Sequence, residues 1–151
     1  MNRRYLLVLG ALAALLLVGF AWPICYLASP RWEVWVVTKD GRPVPDATVA
    51  LHYRNYSAEG ESHSEDLRTD ENEHVLFESH YGKASIYQRI FYTLSAADAG
   101  VHASFGRHAS VSAFGSAGGY IGTSVNGKYI EDWRGSPASM QSKIIAQFVR
   151  D

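Results

Sequence analysis

Val34-Trp35-Val36-Val37-Thr38, Lys39-Asp40-Gly41-Arg42-Pro43-Val44-Pro45-Asp46 and Ala47-Thr48-Val49-Ala50-Leu51-His52-Tyr53 follow one another without a break. A polar segment comes next, and then Thr69-Asp70-Glu71-Asn72-Glu73-His74-Val75-Leu76-Phe77. The first run is rich in Val, Trp and Thr, side chains that suit a pleated, half-buried surface. In the run 47–53, Val49, Leu51 and Tyr53 fall on one face and Thr48, Ala50 and His52 on the other, the period of two expected of a strand with one buried face. Asp40-Gly41 is a turn dipeptide, because glycine takes a positive φ at no steric cost. Pro43 and Pro45 keep their neighbours extended and exclude helix. Asp70 to Asn72 is a second turn, of the Asx kind. The stretch therefore predicts strand, turn, strand, polar loop, turn, strand.

These residues resemble a known family. Gly41-Arg42-Pro43-Val44-Pro45-Asp46-Ala47-Thr48-Val49, then Thr69-Asp70-Glu71-Asn72 and Phe77, is similar to the carboxypeptidase regulatory-like domain. The family pattern runs Gly-x-Pro-(small)-x-x-Ala-x-Val and then Thr-Asp-x-x-Gly before an aromatic. Glu73 stands where the pattern has its last glycine. The resemblance covers about a third of the chain. It implies an Ig-like or transthyretin-like β-sandwich and says little about activity, since one fold hosts many functions.

Upstream, Arg3-Arg4 precede an apolar run from Tyr5 to Phe20, and apolar character continues to about Ala28. Two readings compete. A cleaved signal peptide has a basic start, a short apolar core and a small-x-small site, which Gly19-Phe20-Ala21 offers. An uncleaved anchor needs about 20 apolar residues; Tyr5 to Leu27 is long enough, and Trp22 and Tyr26 suit an interfacial aromatic belt. Either way Arg3 and Arg4 stay inside and the remainder is exported. The expected division is residues 1–28 as membrane anchor or signal peptide and 32–151 as one exported β-sandwich domain. Cys25 is the only cysteine, so the exported domain is held by its core rather than by a disulfide.

The 151 residues carry a formal charge of −1, which suits one domain plus an appendage. The charge is unevenly spread. Arg54 to His80 holds eight Asp/Glu against two Arg, and the tail after it holds seven Lys/Arg against four Asp/Glu. No basic stripe marks a nucleic-acid surface. Asn55 to Arg68 reads as an exposed acidic loop, and its carboxylate spacing fits no regular Ca²⁺ loop. Ser85 to Ala97 is ambiguous: Ile86, Ile90, Phe91 and Leu94 have helical spacing, but the sandwich needs pairing partners, so Ile90 to Leu94 is expected as a strand. Val101 to Phe105 and Ala109 to Phe114 are expected as further strands. Gly115 to Gly122 lacks the Gly-Lys-Ser/Thr ending of a phosphate loop and reads as a turning loop. Asn126-Gly127 predicts a hairpin between Tyr120–Val125 and Lys128–Ile130, and Lys143 to Arg150 reads as an edge strand, with a short amphipathic helix as the alternative.

Candidate chemistry is sparse. His52, His63, His74, His80, His102 and His108 show no metal-ligand spacing, and no Ser lies in a nucleophile elbow. Trp133-Arg134-Gly135-Ser136 resembles the terminal Tyr-Arg-Gly-Ser of transthyretin-like hydroxyisourate hydrolases. It has Trp for Tyr, is followed by fifteen residues, and lacks the companion His and Arg motifs, so no catalytic residue is transferred. The sequence assigns no catalytic residue, no metal and no cofactor. Tyr120, Tyr129 and Trp133 are the candidate partner-binding surface, because aromatic side chains bury much area with a polar tip. The expected role is a non-catalytic interaction or assembly module in the periplasm, held on the inner membrane by one helix, with an envelope protein as partner. The alternative is a small hydrolase or metal-binding envelope protein with its site in the late Gly-rich loops.

Overall fold

The computed structural model describes residues 3–114, 120–121, 124–125, 128–129 and 132–146. In chain order the elements are α1 (Arg3–Ala21), β1 (Ile24–Ser29), β2 (Arg31–Thr38), β3 (Thr48–Asn55), β4 (His63–Arg68), β5 (His74–Phe77), β6 (His80–Ala84) and α2 (Ile86–Ala97). A 3-10 turn at Gly100–His102 leads to β7 (Arg107–Phe114), and then come β8 (Tyr120–Ile121), β9 (Ser124–Val125), β10 (Lys128–Tyr129), β11 (Asp132–Trp133) and β12 (Ser139–Ala146). The fold is mainly β, a sandwich preceded by one apolar helix. One sheet runs β11-β7-β3-β4, with β8 also on β7; the other runs β12-β2-β5. A separate ladder joins β1 to β6.

The core fills the space between the sheets. Val49 and Leu51 of β3 and Val111 of β7 belong to one buried cluster with Trp32, Val34 and Val36 of β2, Phe77 of β5 and Ile144 of β12. Each fully buried Val, Leu or Phe contributes about 1.5–3 kcal/mol. The chain closes on itself through β12, which pairs in parallel with β2 from Ser139↔Arg31 to Ala146↔Thr38. Trp32 Nε1 donates to Ser142 Oγ across that ladder at 2.7 Å.

The two turns of the opening stretch are stitched by Thr69. Its buried hydroxyl accepts from the Ala47 amide at 3.0 Å and donates to the Val44 carbonyl at 2.8 Å. Gly41 takes φ 75° in the first turn. In the second, Asp70 Oδ1 accepts from the amides of Asn72 and His74, and Glu73 adopts φ 65°. That left-handed conformation favours glycine, the residue the family pattern has there. The Glu73 Oε2 atom is also buried without a hydrogen-bond partner among the described residues. Glu73→Gly relieves both penalties and adds some unfolded-state entropy. It is expected to stabilise the protein by about 1 kcal/mol, read as a raised Tm in thermal unfolding; a lowered Tm would contradict it.

Several expectations are corrected. The apolar run is not one span to Leu27. The helix ends at Ala21, because Trp22 precedes Pro23 and that position disfavours helical backbone. Ile24 to Ser29 instead form β1, so the sheet region starts at Ile24 rather than Trp32. Residues 86–97 are helix, not strand. Ser85 and Gln88 form a reciprocal capping box, Gln88 N to Ser85 Oγ at 3.2 Å and Ser85 N to Gln88 Oε1 at 2.8 Å, and this outweighs the β-branched run. Val101 to Phe105 is a 3-10 turn and irregular chain, bracketed by Gly100 and Gly106, both at positive φ. The acidic segment is a loop only to Ser62; His63 to Arg68 pair with β3 as a polar strand at the end of the sheet. Ala50, expected on an open face, is buried, a short methyl flanked in register by Asp66 and Ser112. The last strand begins at Ser139 and residues 147–151 lie outside the described ones, as do residues 115–119 of the Gly-rich segment. The hairpin register around Asn126-Gly127 holds, with Val125 opposite Lys128.

Candidate functional site

Three features lie where β1, β6 and α2 meet the end of α1. The first is the junction itself. Ile24 pairs with Ala84, so the chain leaving α1 and the chain entering α2 lie at the same end of the β1–β6 ladder. Phe20 of α1 meets Tyr87 of α2 edge-on, with ring centroids 6.3 Å apart. α1 is exposed on every side. α2 turns Arg89, Tyr92, Thr93 and Ala96 toward the domain and leaves Ile86, Tyr87, Ile90, Phe91 and Leu94 exposed.

The second feature is a groove of about 650 Å³ lined by Cys25, Tyr26, Asn55, Ser57, Arg89 and Arg107 among others. The Arg89 guanidinium lies 5.2 Å from the centre of the Tyr26 ring. Tyr26 in turn covers Gly82, its cross-strand neighbour, so closely that a Cβ there would fall inside the ring's contact distance.

The third is a polar network continuous with that groove. The Glu59 carboxylate, whose charge acts on the Tyr26 hydroxyl, accepts the Asn55 amide at 2.7 Å and contacts His63 Nε2 at 3.0 Å. His63 and His80 stack on the Tyr53 ring at centroid distances of 5.1 and 4.8 Å, and His80 Nε2 contacts Glu65 at 2.8 Å. Burial, with the Glu59 carboxylate next, pushes the Tyr26 hydroxyl up to about 12. Burial, then Glu65 and Glu59, raises Tyr53 as well. A folded pKa above the unfolded value stabilises the fold fully below about pH 10, and the contribution is lost as pH rises through about 12. Tyr26→Phe is expected to cost about 0.5–1.5 kcal/mol at neutral pH and to flatten the loss of stability across that alkaline window. Chemical unfolding at stepped pH measures both, and parallel wild-type and variant curves would contradict the assignment.

A smaller groove, about 190 Å³, holds His52, Tyr56, His108, Ser110 and Asp132. The trio of His108, Ser110 and Asp132 has the residue types of a hydrolase site but not its geometry. His108 Nε2 contacts the Phe105 carbonyl at 3.1 Å and Nδ1 lies 3.7 Å from Asp132, beyond hydrogen-bond distance, so the Asp–His–Ser hydrogen-bond chain of a hydrolase triad is not formed. Among the described residues no three His, Cys, Asp or Glu side chains converge on a metal position.

No family model, curated protein or solved structure matches the chain.

Trp133 is 1% exposed, part of the core, and donates from Nε1 to the Pro137 carbonyl at 2.6 Å; it contributes no partner surface. Tyr120 and Tyr129 sit on β8 and β10, which belong to different ladders. The hydrolase-like tetrapeptide runs from the end of β11 into irregular chain, with Gly135 at φ 88° against the Arg107 guanidinium. What sequence reasoning missed is the junction. Its one legible signal was the helical spacing of Ile86, Ile90, Phe91 and Leu94, passed over in favour of a strand. The convergence of His63 and His80 on Tyr53 depends on strand pairing and carries no sequence signal.

Proposed function

We propose that the protein is a single-pass, membrane-anchored, non-catalytic module that holds its β-sandwich at the periplasmic face of the inner membrane, where it binds or helps assemble an envelope protein. The observation that carries this reading is α1. It has 19 residues, a mean hydropathy of 2.1 in its most apolar window, and no part buried against the domain. At 1.5 Å per residue it spans about 28 Å, close to the roughly 30 Å hydrocarbon core. Only Trp22 and Pro23 separate it from β1, so the sandwich sits directly on the bilayer surface. Arg3 and Arg4 at its start orient it with the sandwich outside. The tyrosine network supports a binding scaffold over an enzyme, because its histidines and carboxylates are paired with one another.

In membrane fractions the protein is expected to resist extraction by carbonate and to retain Arg3 at its N-terminal end. A mature chain beginning near Trp22 and released by carbonate would establish cleavage instead. Photo-crosslinking residues placed singly at Glu61, Ser64 and Asp66, all exposed on or beside the terminal strand β4, test the binding role. A discrete adduct with an envelope protein is expected from at least one site, and uncrosslinked protein at all three would count against the module reading.

A further inference from the structure

We propose that α2 lies in the membrane–water interface as an in-plane docking helix, its exposed apolar face immersed among the lipids beside α1; this rests on the reading of α1 as a membrane anchor. The central observation is the sense of the helix. A surface helix of a water-soluble domain turns its apolar stripe to the core and its polar face to solvent. α2 does the reverse. Arg89, Tyr92 and Thr93 are the residues turned inward, and they have specific partners there: Arg89 lies over Tyr26, and Tyr92 packs against the backbone at Gly60. Ile86, Tyr87, Ile90, Phe91 and Leu94 point away from the domain, Leu94 being 66% exposed. The turn that follows extends the same character, with Val101 97% and Phe105 48% exposed. Contiguous apolar area of this kind marks a surface that meets something other than water.

The position of α2 selects lipid as the occupant. The Ile24↔Ala84 pairing brings the start of α2 level with the end of α1, and Phe20 in the last turn of α1 touches Tyr87 in the first turn of α2. If α1 crosses the bilayer, Tyr87 therefore lies at the depth where the hydrocarbon ends. α2 then continues for 12 residues, about 18 Å, with its apolar face outward. The local composition fits that depth. Trp22 and Tyr87 supply interfacial aromatics. Residues 79–97 include the exposed Lys83 and no acidic residue, in a chain whose preceding segment is strongly acidic, as suits a surface of anionic phosphates.

The test uses the full chain reconstituted in vesicles of phosphatidylethanolamine and phosphatidylglycerol, with Cys25→Ser as background. Single cysteines at Phe91, Leu94, Leu12 and Glu61 carry an environment-sensitive fluorophore, and nitroxide lipids of shallow and deep label position act as quenchers. Labels at Phe91 and Leu94 are expected to emit at shorter wavelength than the label at Glu61 and to lose intensity with shallow quenchers. Leu12 is expected to respond to deep quenchers and Glu61 to neither. Quenching at Leu12 with none at Phe91 or Leu94 would overturn the docking helix while leaving the anchor in place. Blue-shifted but unquenched labels at Phe91 and Leu94 would mean that a second copy of the chain covers the face, and would also overturn it. Loss of quenching at Leu12 would remove the anchor itself.

Discussion

Val49→Asp is expected to abolish folding of the β-sandwich. Val49 is fully buried on the central strand of its sheet, paired in register with Leu67 on one side and Ala113 on the other, and it faces the cluster that includes Trp32 and Phe77. A carboxylate there meets neither water nor a cation. Burying an unpaired charge carries a larger penalty than any lost methyl group, and substitutions of this kind exceed about 4 kcal/mol, against a total stability of roughly 5–15 kcal/mol for a small domain. Val49→Ala, which leaves a small cavity and no charge, is the graded control. His52→Asp places the same charge three residues further along on the exposed face and is expected to keep the fold. Near-ultraviolet circular dichroism, dominated by the buried Trp32 and Trp133, distinguishes the three variants. Equal losses for Val49→Asp and His52→Asp would contradict the sandwich.

The second large effect is expected at Trp32. This tryptophan is fully buried at the start of β2 and bridges to Ser142 on the parallel strand β12. Trp32→Ala removes the largest side chain on that side of the core and is expected to cost about 3–5 kcal/mol. Trp35, on the opposite face of the same strand, is half-buried and packs on His74 with ring centroids 5.1 Å apart. Its replacement by Ala should cost clearly less. Denaturant unfolding of the two variants measures the difference, and a larger loss at Trp35 would mean that the inner and outer faces of β2 are reversed.

The opening stretch was legible because each local signal agreed with the next. Val49 and Leu51 alternate with the smaller or polar Thr48, Ala50 and His52, Gly41 takes the positive φ its turn requires, and Thr69 ties both turns together. Where signals conflicted, reading by hydrophobic pattern went astray. β4 escaped notice because its alternation is written in His, Glu and Leu against Ser, Asp and Arg, which reads as polar throughout. α2 was mistaken for a strand because Ile90 to Leu94 suits both periods, and the deciding capping box lies at Ser85 and Gln88, outside that run. β1 was absorbed into the membrane span because apolar composition does not distinguish a helix from the strand that begins after Pro23. The inward turn of Arg89 and Tyr92 could not be read at all, since amphipathic spacing gives the existence of a face but not which way it points.

Cysteine accessibility tests most directly the proposal that α1 crosses the membrane and the sandwich stands outside it. In the Cys25→Ser background, one variant carries Asn2→Cys and the other Glu61→Cys, the second at an exposed position before β4. A membrane-impermeant maleimide added to intact spheroplasts should label the cysteine at 61 and leave that at 2 unmodified until the cells are lysed. Labelling of the cysteine at 2 in intact spheroplasts, or protection of that at 61 until lysis, would contradict the account.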